Sequence, residues 1–104
     1  MPAFAALADG TRRGIVEALA ADDRSVTELV ALFDVSQPAI SRHLRLLREA
    51  GVVSVAPAGK QRIYRLQPTA LAEVSTWADA CRRTWAERLD HLGTHLDTMG
   101  DRSE

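Results

Sequence analysis

The sequence predicts a mainly α-helical chain with one small β-hairpin, in the order α-α-α-α-β-β-α. Three observations predict it. Four short segments carry apolar residues at helical spacing and are bounded by capping residues or turn pairs. Two strand-like runs follow, joined by a turn sequence that contains Pro57 and Gly59. Beyond Gln67-Pro68, Thr69 to about Thr98 has no internal proline and reads as one long helix.

The elements are justified in turn. Ala3 to Ala8 is a short apolar helix closed by Asp9-Gly10. Thr11 is the expected cap of a second helix, whose apolar face is Ile15, Val16, Leu19 and Ala20. Ala21 to Arg24 reads as a loop. Ser25 caps a third helix, with Glu28 as its capping-box partner and Val26, Leu29, Val30 and Phe33 as its apolar positions. Asp34-Val35 is a tight connection. Ser36 caps a fourth helix with Pro38 in its first turn, where a missing N–H costs nothing. Ile40, Leu44 and Leu47 form its inward stripe, and Gly51 ends it. Val52 to Ala56 and Gln61 to Leu66 are the two strands, joined by Pro57 to Lys60.

The 104 residues fit one domain spanning 1–104, and 46% hydrophobic residues allow a modest core. Cys81 is the single cysteine, so no intramolecular disulfide can form. No apolar run approaches the roughly 20 residues that cross a bilayer. Met1 to Leu7 lacks the basic-then-apolar pattern of a signal peptide, so a cytoplasmic location without membrane contact is expected. Absence of a glycine-rich phosphate loop, a paired-carboxylate site and a nucleophile with a plausible base argues against an enzyme.

Charge is unevenly placed. Between Gln37 and Arg65 stand Arg42, Arg45, Arg48, Lys60, Arg62 and Arg65 against one acid, Glu49, for a net +5. The rest of the chain carries −6, leaving −1 overall. A basic middle in an acidic chain is the footprint of a polyanion-binding face.

Two short helices with a tight turn, followed by a basic hairpin, describe a winged helix-turn-helix. Opposite the inward stripe of the fourth helix lie Gln37, Ser41, Arg42 and Arg45. Gln suits adenine, Arg suits guanine, and Ser is adaptable. Small Ala39 lets the backbone approach, and Arg45 and Arg48 lie where phosphates are expected. The N–H groups at the helix N-terminus add a phosphate site. Gly59, Lys60, Arg62 and Arg65 make the hairpin suited to backbone or minor-groove contact.

The runs Leu7 to Arg13, Val35 to Leu47 and Gly59 to Leu66 resemble the ArsR/SmtB family of winged-helix repressors, over nearly the whole chain. The resemblance implies the winged fold, a homodimer built on the first and last helices, and repression of a nearby operon. It also places Ser36, Gln37, Ser41, Arg42 and His43 at or near DNA, although His43 borders the apolar stripe and can pack beneath the helix instead. One family metal site is a cysteine pair on the third helix. Its positions fall here on Ser25 and Thr27, neither a soft ligand. A second lies on the last helix, where this chain offers Asp79, Cys81, His91 and His95 at departing spacing. No metal and no cofactor is therefore expected, and the chain is similar to the family branch without the cysteine box, whose effector is undefined.

Leu71, Val74, Ala78, Cys81, Trp85, Leu89, Leu92, Leu96 and Met99 step by three or four along the last helix, a seam of the coiled-coil type. At roughly 45 Å, that helix exceeds the core of so small a domain. A second copy is the expected partner, with Phe4 and Leu7 of the first helix covering the rest. Two-fold symmetry then calls for double-stranded DNA with an inverted repeat. Two alternatives stand beside this reading: a metal- or thiol-responsive repressor using the Cys and His residues of the last helix, and a protein-interaction module that does not bind DNA.

Overall fold

The structure, a computed structural model, describes residues 2–99, with side chains described through residue 93. Its elements are α1 (Ala3–Ala6), α2 (Gly10–Ala21), β1 (Arg24–Ser25), α3 (Val26–Leu32), α4 (Gln37–Glu49), β2 (Val53–Ala58), β3 (Gln61–Leu66) and α5 (Pro68–Met99). The chain divides into two compact units, Met1–Val74 and Ser75–Glu104.

In the first unit the apolar stripes converge. Ile15 of α2, Leu29 of α3, Ile40, Leu44 and Leu47 of α4, and Val52 are all fully buried. Each such side chain contributes roughly 1.5–3 kcal/mol through burial. The interior position of Gly14 in α2 has a packing cause. A Cβ there would stand 2.7 Å from Cε1 of Phe33, so α2 makes room for the ring that closes the α3–α4 turn.

Caps set most boundaries. Ser25 and Glu28 form a reciprocal capping box on α3. The Ser36 hydroxyl accepts from the Ala39 N–H at the start of α4. The start of α2 differs from expectation. Asp9, not Thr11, is the cap: its carboxylate accepts the N–H groups of Thr11 and Arg12 at 2.8 and 3.1 Å, so the helix begins at Gly10. α1 is also shorter than expected, because Leu7 leaves helical geometry.

The sheet has three antiparallel strands in the order β1-β3-β2. β1 falls in and just beyond what reads as a loop: Arg24 pairs with Tyr64 and Ser25 with Ile63. β2 runs on through Pro57 and Ala58, so the turn is only Gly59-Lys60, with Gly59 at φ +64°. Pro57 is tolerated because β2 is an edge strand. The wing is therefore longer than the sequence suggests.

In the second unit the described side chains of α5 are largely exposed, Cys81 among them. Trp85, Leu89 and Leu92 are each about half exposed, at 52%, 48% and 53%. Arg88 lies over the Trp85 ring, 4.9 Å from its centroid. Leu96, expected on the seam, and His95 lie outside the described side chains.

Candidate nucleic-acid interface

α4 presents two chemically distinct faces. Its three buried aliphatics fix which face turns inward. That leaves Ser36 at the cap and Gln37, Ser41, Arg42, Arg45 and Arg48 on the helix exposed to solvent. Ala39 is half-buried rather than fully outward. His43 is half-buried too, its Nδ1 3.4 Å from Nη1 of Arg12.

The wing carries Lys60 at the two-residue turn and Arg62 directly after it, both exposed. Arg62 sits across from Pro57. Arg65 is different: its guanidinium pairs with the Asp23 carboxylate at 3.0 Å, tying β3 to the segment before β1. Its charge is thereby partly neutralised, which sequence proximity to Lys60 and Arg62 could not reveal.

Other basic residues of the first unit are engaged as well. Arg12, Arg13 and Arg24 donate to backbone carbonyls of Ala6, Leu7, Ala8 and Ala18. Among the described residues, Arg42, Arg45, Arg48, Lys60 and Arg62 take part in no ion pair. Exposed cations without an internal counter-ion are what phosphate oxygens neutralise most readily.

Sequence reasoning missed one part of this region. Asp9 caps α2 beside Arg12 and His43, and the Arg12 N–H foremost holds its carboxyl below the usual carboxylate value. A smaller desolvation acts in the opposite direction, while the Thr11 N–H and the Arg12 charge reinforce the lowering. The Asp9-Gly10-Thr11 run signalled a cap, but nothing in its spacing pointed to a residue 34 positions away.

On α3 the structure gives Ser25 a structural role. Ser25 is buried, and its hydroxyl accepts from the Glu28 N–H, so that position serves as a helix cap. Among the described residues, no three His, Cys, Asp or Glu side chains gather where they could hold an ion. No helix among them is long and apolar enough to cross a membrane.

A capped helix pair, an outward polar face on the second helix and a basic two-stranded wing define a winged helix-turn-helix DNA-binding regulator. The model for bacterial regulatory proteins of the arsR family matches residues 9–55, from the cap of α2 into β2. The chain belongs to that family. It is 46% identical over 99 residues to the HTH-type transcriptional regulator Rv2034 of Mycobacterium tuberculosis, covering 95% of this chain and 90% of that protein. It is 45% identical over 94 residues to the arsenical resistance operon repressor of Escherichia coli, covering 89% and 80%. With the transcriptional repressor SdpR of Bacillus subtilis the identity is 35% over 74 residues, covering 71% and 82%. Similar solved structures include a possible transcriptional regulator for arsenical resistance, with TM-score 0.76, 37% identity, and 91% and 96% of the two chains covered. An ArsR-like transcriptional regulator from Rhodococcus sp. RHA1 gives TM-score 0.74, 31% identity, and 88% and 86% coverage.

Proposed function

We propose that this chain is a cytoplasmic, homodimeric transcriptional repressor, a binder rather than an enzyme, that reads an inverted-repeat operator in double-stranded DNA. The observation that carries the reading is the outward face of α4, polar and cationic along its length while its other face is fully buried. Gln37, Ser41 and Arg42 read base edges near the N-terminal end of the helix, with Ala39 allowing close approach. Ser36, Arg45 and Arg48 position the helix against the backbone, with His43 at the inner edge of that face beside the DNA rather than on a phosphate. Lys60 and Arg62 of the wing add contacts to the flanking phosphates.

Dimerisation is the second half of the proposal. Leu71, Val74, Ala78, Cys81, Trp85, Leu89 and Leu92 of α5, with Phe4 and Leu7 near α1, pack against the same residues of a second copy. The half-exposed Trp85, Leu89 and Leu92 support this, since residues of this size are favoured at the centres of interfaces. Residues 1–104 then act as one winged-helix domain with dimerisation helices at both ends. The two recognition helices are thereby set roughly 34 Å apart, one turn of DNA.

No metal is assigned to the repressor. The likeness to an arsenical resistance repressor brings no thiolate pair with it, since Cys81 is the chain's single cysteine. The test is to sequence genomic DNA retained by the purified protein and measure binding to the enriched site. Enrichment of one inverted repeat, bound by a dimer, is the expected result. Uniform recovery of all sequences would overturn it.

A further inference from the structure

We propose that Arg12 is a positioning residue for the recognition helix, acting by holding His43 in one neutral tautomer; the proposal rests on the DNA-binding reading of α4. Arg12 links three elements. Its backbone N–H is capped by Asp9, its Nε donates to the Ala6 carbonyl at the end of α1, and its Nη1 reaches Nδ1 of His43 on α4 at 3.4 Å. A guanidinium has donors only. In a hydrogen bond from that guanidinium Nδ1 supplies the lone pair, which leaves the ring proton on Nε2.

The consequence for α4 follows from what its other contacts lack. Ile40 and Leu47, three residues before and four after His43, are fully buried beside Leu44. Burial of this kind is strong but non-directional: it fixes which face of α4 turns inward without fixing the exact roll about the helix axis. A hydrogen bond at the edge of the stripe is directional and opposes that roll. Arg42, adjacent to His43, and Gln37 at the helix start would be displaced by it. Because the same guanidinium holds Ala6, the orientation of α1 is transmitted to the helix that reads DNA.

The experiment combines histidine 15N spectra with operator binding, using anisotropy at several salt concentrations. The DNA is the genomic site enriched by the wild-type protein. Wild type should show an unprotonated Nδ1 and a protonated Nε2 for His43 at neutral pH, and Arg12→Ala should mix the tautomers. Arg12→Ala and His43→Ala should each weaken operator binding about tenfold. The double variant should lose no more than either single one, because both remove one interaction. His43→Asn places an acceptor oxygen near the position of Nδ1 and should retain most of the affinity. The salt slope should not change, since no phosphate contact is removed.

An Nδ1–H tautomer in wild type, additive losses in the double variant, or a flatter salt slope in Arg12→Ala would each overturn the proposal. The last would make Arg12 a phosphate contact. Arg12→Gln, which keeps a donor without the charge, carries the test if Arg12→Ala fails to fold by circular dichroism. Failure of the wild-type chain to bind DNA would overturn the repressor reading. The tautomer measurement, made without DNA, would still decide the Arg12–His43 tie.

Discussion

α4 and the described part of α5 are both amphipathic, but they dispose of their apolar residues in opposite ways. Ile40, Leu44 and Leu47 of α4 are fully buried within the chain. Trp85, Leu89 and Leu92 of α5 keep about half of their surface exposed. The contrast separates two uses of one pattern: a stripe completed internally leaves the opposite face exposed to solvent, whereas a stripe left open is where the proposed second copy would dock.

The comparison breaks first at Leu44. Leu44→Ala should lower unfolding stability by about 2–5 kcal/mol in denaturant titrations, because the surrounding core cannot collapse into the space. A loss below about 1 kcal/mol would mean that α4 is not held by its stripe. The combined change Trp85→Asp with Leu89→Asp should do the converse. It should leave the folded first unit intact by circular dichroism yet convert the proposed dimer to monomer in analytical ultracentrifugation. Operator affinity should then fall by at least a hundredfold, an order-of-magnitude expectation from losing the second half-site. A persistent dimer would remove α5 from the interface.

Arg42→Ala sharpens the ligand side of the contrast. It should weaken binding to the true operator by about 1–3 kcal/mol and binding to random DNA far less, measured by competition. Equal losses would confine Arg42 to phosphate. Lys60→Ala and Arg62→Ala should weaken all sequences alike, each flattening the dependence of log K on log salt by about one unit. An unchanged slope would take the wing out of the interface. Smallest of all is the expected effect of zinc. At sub-micromolar free concentration it should not dissociate the operator complex, as followed by anisotropy. Dissociation abolished by Cys81→Ser or His95→Ala would restore the metal-responsive alternative.

What the sequence made legible was local. The Ser25–Glu28 box and the Ser36 cap with Pro38 behind it are short-range patterns, and the helices start where those patterns place them. The inward face of α4 followed from a three-residue stripe at helical spacing. The errors arose where competing local signals or distant partners decide. Asp9 and Thr11 are both good caps, and only the carboxylate's reach to two N–H groups distinguishes them. Arg24 and Ser25 become a strand only because Tyr64 and Ile63 pair with them. Pro57 suggested a turn, yet an edge position removes the need for its N–H. The pairing of Arg65 with Asp23 joins residues 42 positions apart. Of the candidate site, the exposed cations were legible by type and spacing, and the engagement of their neighbours was not.

Ser25 does two jobs with one backbone. It ends β1, where it pairs with Ile63 of the wing, and it caps α3, the first helix of the helix-turn-helix pair. No spacer residue separates strand from helix, so there is no joint at which the wing could tilt alone. A force applied to the hairpin, by a groove narrower than its preferred width or by a neighbouring protein, is delivered to the first turn of α3. Wing and helix pair should therefore meet DNA as one stiff bracket, favouring sites whose shape already matches it over sites that must be bent to fit.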